Sequence, residues 1–189
     1  MKGQHYLVFL RGINVGGKNT IKMAELKACF EKMGFADVAT YIQSGNVLFR
    51  VSGKHQNTLT GEIEKALSKR FSYESCVVVV SQTELEKIVK HAFKGFGRDS
   101  DKYRYDVVFL KKPLTAREAI KNVCTREGVD KAHAGKGVLY FSRLIKRATQ
   151  SYLRKIIQLP IYQQMTIRNW NTTTKLLALM QRREQKEKQ

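Results

Sequence analysis

The chain has 189 residues, 42% of them hydrophobic, enough for a packed core in one large domain or two small ones and too many for a disordered polymer. No apolar run approaches the roughly 20 residues of a membrane span, and "YLVFL", closed by Arg11, is too short for the apolar region of an export signal, so a cytoplasmic protein without a membrane partner is expected. Thirty-five Lys and Arg against 16 Asp and Glu give a net charge of +19, a balance that favours polyanionic partners.

In chain order, "YLVFL" (6–10) is wholly apolar, the pattern of a strand buried on both faces. A glycine-rich stretch follows. Then Met23, Leu26, Phe30 and Met33 recur at helical spacing, with Gly34 as the stop. "VATYI" (38–42) and "NVLFR" (46–50) read as strands around the tight turn "QSGN". Leu59, Ile63, Ala66, Leu67 and Phe71 mark an amphipathic helix over 59–71. "CVVVV" (76–80) is another doubly buried strand, and Ser81 with Glu84 opens the next helix as a capping box. After the polar break "KGFGRDSD" the order repeats. Strand "YDVVFL" (105–110) leads to a helix over 115–124, opened by Thr115 and Glu118. A hairpin in "DKAHAGKGVLYFS" turns at Gly135 and Gly137; a helix over 149–159, a strand over 162–168 and a closing helix over 171–183 follow.

Each half thus runs strand, helix, strand, strand, helix, strand, helix. The first six elements have the split βαβ order of a ferredoxin-like fold. The expected class is α+β: two tandem ferredoxin-like (βαββαβ) units, residues 1–95 and 103–189, each with an extra helix, the last one basic. "SGNVLF" is matched by "GKGVLYF" about ninety positions later, and Ser81 by Asn171, the spacing of an old duplication.

Charge is uneven between the halves. Residues 1–94 hold 14 basic and 8 acidic side chains, residues 95–189 hold 21 and 8. No acidic residue lies between Asp130 and Glu184, where eleven basic ones stand, among them Arg143, Lys146, Arg147, Arg154 and Lys155. A solvated face normally mixes signs, and a one-sign stretch of this length creates a field that attracts nucleic acid or another polyanion. A basic proteome background or a generic solubility bias accounts for the charge equally well.

"GINVGGKN" (12–19) is one residue away from a phosphate-binding P-loop. Asn19 stands where the magnesium ligand should be Ser or Thr, and the periodic helix starts only near Met23, too late for its amides to face a phosphate. No buried strand is followed by the Asp of a metal site, so ATP hydrolysis is not expected. The glycines turn the chain. They leave Arg11, Asn14, Lys18, Asn19 and Lys22 crowded into one loop, where backbone amides and cations make an anion nest.

"RNWN" (168–171) invites two readings. Arg168, Asn169 and Trp170 clamp a flat or phosphorylated ligand, or Asn171 caps the helix, Trp170 packs and Arg168 is solvated. "QSGN" has the same ambiguity: Ser44 and Asn46 hold the turn or face the glycine loop. Cys29, Cys76 and Cys124 fit no metal or redox spacing, the four histidines form no ligand pair, and no cofactor motif or activated nucleophile stands out.

"LRGINVGGKNTIKMAEL", "TYIQSGNVLF" and "RNWNTTTKLLAL" resemble signature segments of a bacterial family called domain of unknown function 1697. The resemblance runs along essentially the whole chain. It implies two ferredoxin-like units and no activity. Its marked positions include Arg11, Gly12, Asn14, Gly16, Gly17, Lys18, Ser44, Asn46, Arg168, Asn169 and Trp170. Around 142–152 "SRLIKRATQSY" is more basic than the family pattern. Two functions are expected to compete: a polyanion-binding protein using its basic half, and an enzyme or sensor for a small phosphorylated or carboxylated ligand between the units.

Overall fold

The computed structural model describes residues 3–14 and 20–186, with Asn57 described by its backbone alone. By internal contacts the chain divides into Met1–Leu85 with Leu176–Gln189 (unit 1) and Glu86–Lys175 (unit 2).

Unit 1 runs β1 (Gln4–Leu10), α1 (Met23–Lys32), β2 (Ala36–Tyr41), β3 (Asn46–Val51), α2 (Gln56–Phe71) and β4 (Val77–Ser81). Its antiparallel sheet has the order β2-β3-β1-β4, that of a ferredoxin-like unit. Tyr6, Val8, Leu10, Val47, Phe49, Val77 and Val79 share one face and pack beneath Leu26, Phe30, Leu59, Ile63 and Leu67 of the two helices. Phe49 stacks on Phe35 at 4.4 Å and meets the edge of Phe30 at 5.7 Å. Burying each such ring contributes about 1.5–3 kcal/mol. The alternate residues Leu7, Phe9, Leu48, Val78 and Val80 are buried too, as the all-apolar runs predict. The outer edge of β4 is closed by α2: Glu64 Oε1 accepts the Val77 N–H at 2.8 Å, and Gln56 Nε2 donates to the Val79 carbonyl. These two groups sit two residues apart and face the same way, so one helix satisfies an edge that would otherwise offer itself to another strand.

Unit 2 repeats the pattern. It consists of β5 (Tyr103–Leu110), α4 (Ala116–Asn122), β6 (Asp130–Ala134), β7 (Val138–Leu144), a 3-10 helix (Ile145–Gln150), α5 (Leu153–Gln158), a second 3-10 helix (Pro160–Gln164) and β8 (Met165–Asn169). Its sheet order is β6-β7-β5-β8, the same as in unit 1. Val108, Leu110, Leu139, Phe141 and Met165 pack against Ala116, Ala119, Leu153 and Ile156. On the other face Phe96 lies against Tyr105 (4.9 Å) and Tyr140 (5.3 Å). The Tyr140 hydroxyl donates to the Ile88 carbonyl at 2.6 Å, and burial pushes its pKa up to about 12. An extra helix follows each six-element set, α3 (Gln82–Lys90) and α6 (Trp170–Lys186). Within unit 1 the end of α6 is held where Gln82 Nε2 donates to Glu184 Oε2 at 2.7 Å and Arg183 Nη1 to the Asp37 carbonyl.

The likeness of the two units is visible at single hydrogen bonds. Leu10 N–H donates to the Gly45 carbonyl (2.8 Å) and Arg11 N–H to that of Cys76 (3.0 Å). In unit 2 Leu110 N–H donates to Gly137 (3.2 Å) and Lys111 N–H to Gln164 (2.8 Å).

Three local expectations are corrected. The helix over 149–159 is broken, because the Tyr152 N–H goes to Asp130 Oδ2 at 2.8 Å, leaving Ser151 extended between the 3-10 helix and α5. The strand expected from 162 starts at Met165, since Pro160 opens a 3-10 helix over the residues before it. The cap of the last helix is Asn169, whose Oδ1 accepts the Asn171 N–H at 2.9 Å, so Asn169 rather than Asn171 is the counterpart of Ser81.

Candidate anion-binding sites

In unit 1, Ile13 and Ile21 plug into the core on either side of the glycine-rich stretch, at 2% and 3% exposure. Asn14 closes the neck between them. Its Oδ1 accepts the Ile21 N–H at 2.8 Å, and its Nδ2 donates to the carbonyls of Ile21 (3.1 Å) and Gln43 (2.9 Å). It does so from φ 54, a left-handed conformation that asparagine tolerates better than most residues. The Asn14 amide is therefore committed to backbone, and shapes the loop. Gly12, at φ 68, has open space where a side chain would be. Gly16, Gly17, Lys18 and Asn19 lie outside the described residues. Lys22 is extended (φ -70, ψ 133) immediately before α1, so the loop does not run straight into helix amides as a P-loop does.

Ser44 and Asn46 belong to the hairpin turn beside this neck. Asn46 is fully buried and donates to the Tyr41 carbonyl (2.9 Å) and the Ser44 hydroxyl (3.0 Å). Gly45 has φ 69, and a Cβ there would stand 2.7 Å from Ile13 Cδ1 and 2.8 Å from Leu10 Cβ, so only glycine lets the turn close on the strand end. The two connections that start at equivalent bonds differ in length. From β1 to α1 the chain uses Arg11–Lys22, twelve residues; from β5 to α4 it uses Lys111–Thr115, five.

In unit 2 the Arg168 side chain is not solvated. It is buried, with Nη1 donating to Thr166 Oγ1 (2.8 Å) and the Ile167 carbonyl (2.9 Å). Burial lowers its pKa to about 10, which leaves it charged at neutral pH. Asn169 caps α6 and also donates to the Tyr105 carbonyl at 3.1 Å. Trp170 meets Phe96 edge-on at 5.0 Å and 81°, and its indole fills the space a side chain on Gly97 would need. These three residues are engaged in unit 2's own packing.

The basic set divides in two. Arg143, on β7, is half-buried and lies 3.5 Å from Asp106. Burial raises the Asp106 pKa, opposed by the charges of Arg143 and Arg104. Lys146 and Arg147 on the 3-10 helix, and Arg154 and Lys155 on α5, are exposed. None of these four has a carboxylate partner among the described residues. Arg147 donates Nε and Nη2 to Gln150 Oε1 at 3.1 and 2.9 Å. Lys155 Nζ lies over the Tyr152 ring, 3.4 Å from its centroid. The segment is fastened from below by Asp130, buried on β6, whose Oδ2 accepts the amides of Tyr152 (2.8 Å) and Arg126 (3.1 Å).

Reading the sequence did not single out Asp130 or Tyr152. Tyr152 carries a weak signal, standing one helical turn before Lys155. Asp130 carries none for its hold on this segment, because the Tyr152 amide is 22 positions away. Among the described residues no group of His, Cys, Asp and Glu is arranged to hold a metal ion. No described helix is long and apolar enough to cross a membrane.

The two sheets of one topology, each with two helices on one face and a third helix following, define a tandem ferredoxin-like α+β protein. Residues 4–140 match the family described as "Protein of unknown function (DUF1697)", and the chain belongs to that family. It is also similar to a solved structure, the conserved bacterial protein SP0830 from Streptococcus pneumoniae, with a TM-score of 0.81 and 24% identity over 94% of this chain and 99% of that one. At that identity the likeness concerns the fold. No curated protein matches the chain.

Proposed function

We propose that this protein binds polyanions, nucleic-acid phosphates foremost, through the exposed cations of residues 146–155 in unit 2. The observation that carries this reading is the set Lys146, Arg147, Arg154 and Lys155. All four are exposed and without a carboxylate partner among the described residues, in a stretch free of acidic side chains. Unneutralised surface cations bind phosphates by releasing the counterions condensed on them, so affinity falls steeply as salt rises. Arg143, half-buried and paired with Asp106, is left out of this set. The double substitution Lys146→Glu with Arg147→Glu is expected to weaken oligonucleotide binding at least tenfold at low salt, leaving the thermal midpoint nearly unchanged because both side chains are exposed. Unchanged affinity at low salt refutes the surface.

A second reading has its own support in unit 1. A five-residue connection suffices between β5 and α4, so the longer Arg11–Lys22 connection exceeds what the topology requires. Asn14 holds its neck shut. A small phosphorylated or carboxylated ligand bound there, with Arg11, Gly12 and Lys18 as candidates, should raise the thermal midpoint, and Lys18→Ala should abolish that shift. Equal shifts in both proteins, or none with inorganic phosphate, nucleotides and sugar phosphates, dispose of it.

A further inference from the structure

The polyanion surface of unit 2 is not only charged. Of the three large hydrophobic residues exposed among the described residues, Ile42, Ile145 and Ile157, two lie in the basic segment, at 37% and 52% exposure. Ile157 is three residues after Arg154 on α5, and side chains at that spacing are neighbours on a helix surface. Tyr152 is half-buried, and a lysine ammonium occupies the face of its ring. The Tyr152 backbone, not its ring, is what Asp130 holds. The ring is therefore dispensable for the anchor.

A duplex presents phosphates outward and hides the faces of its bases, so it would answer the four cations and leave the isoleucines and the tyrosine ring without a counterpart. A single strand presents both chemistries along one chain. Its bases stack on aromatic rings and cover apolar side chains, while its phosphates meet the cations. Lys155 can leave the ring for a phosphate as a base takes its place, exchanging a cation–π contact for an ion pair and a stack. The geometry points to single-stranded nucleic acid as the occupant of the 145–157 surface, with Tyr152 as a base-stacking platform. This rests on the polyanion reading and narrows it to one ligand class.

The test uses the full chain and four probes: an unstructured oligonucleotide, the same strand annealed to its complement, inorganic polyphosphate, and vesicles containing phosphatidylserine. The single strand is expected to bind more tightly than the duplex. Tyr152→Ala should lower its affinity by about 5- to 150-fold, the range that one base–aromatic stack spans, with the salt slope unchanged. The same substitution should leave polyphosphate affinity intact, and Tyr152→Phe should restore oligonucleotide binding. Lys155→Ala should behave oppositely, lowering the salt slope by about 0.7 per lost phosphate contact on a single strand. Ile157→Ser, at a position more than half exposed, should weaken the oligonucleotide and spare polyphosphate. Duplex bound as tightly as single strand, a Tyr152→Ala loss shared by polyphosphate, or vesicles bound in preference to oligonucleotide would overturn the single-strand assignment while the charged surface stands. Failure of all four probes to bind would remove the polyanion reading itself.

Discussion

Ile42 is a β-branched residue held at φ 50, with half its surface exposed. A left-handed conformation costs a non-glycine residue roughly 1–2 kcal/mol, and branching at Cβ makes it worse. Its neighbours explain why the conformation persists: Asn46 ties the Tyr41 carbonyl, Asn14 ties that of Gln43, and Gly45 closes the turn on Leu10. An asparagine side chain at this position would keep the turn and relieve the strain, so Ile42→Asn is expected to stabilise by about 1 kcal/mol, a rise of about 2–4 °C in thermal midpoint for a chain of this size. A midpoint that stays or falls shows that the isoleucine makes compensating contacts. At this scale the sequence was a good guide to which residues are special and a poor one to why. Asn14, Gly45, Asn46, Asn169 and Trp170 all stand out in it, and each is employed by the backbone or the packing around it. Arg168 is the clearest surprise, because nothing in "RNWN" says which face of β8 its side chain takes.

Among the elements, those governed by short-range patterns were legible. Both capping boxes are present: Ser81 Oγ accepts the Glu84 N–H at 3.2 Å while Glu84 Oε2 accepts that of Ser81 at 2.9 Å, and Thr115 with Glu118 does the same. Their partners lie three residues apart, so the sequence contains the whole interaction. The 149–159 helix failed for the opposite reason. Its periodicity is real, but a carboxylate from a distant strand takes the Tyr152 amide and divides it. Asp130→Ala removes the acceptor from two amides at once, and is expected to cost unit 2 about 1–3 kcal/mol by denaturant unfolding. Asp130→Asn retains an acceptor and should cost less. An alanine variant as stable as the parent, with unchanged amide exchange at Tyr152 and Leu153, would mean that Asp130 fastens nothing.

For the whole molecule, the tandem of two ferredoxin-like units was readable because element order depends on hydrophobic periodicity, and periodicity is written in the chain one residue after another. Composition likewise determined the net charge of +19 and its concentration in the second half. What only tertiary structure decided was the use of those features. It buried Arg168, paired Arg143 with Asp106, left Lys146, Arg147, Arg154 and Lys155 exposed, and set one of those cations over a tyrosine ring. The same +1 side chain is a core element, an ion-pair partner or an exposed charge according to what lies across from it, and that neighbour comes from another strand or helix. Periodicity and charge are local sums, legible from the chain alone; desolvation and pairing depend on distances in space, which exist only after the strands have found their register.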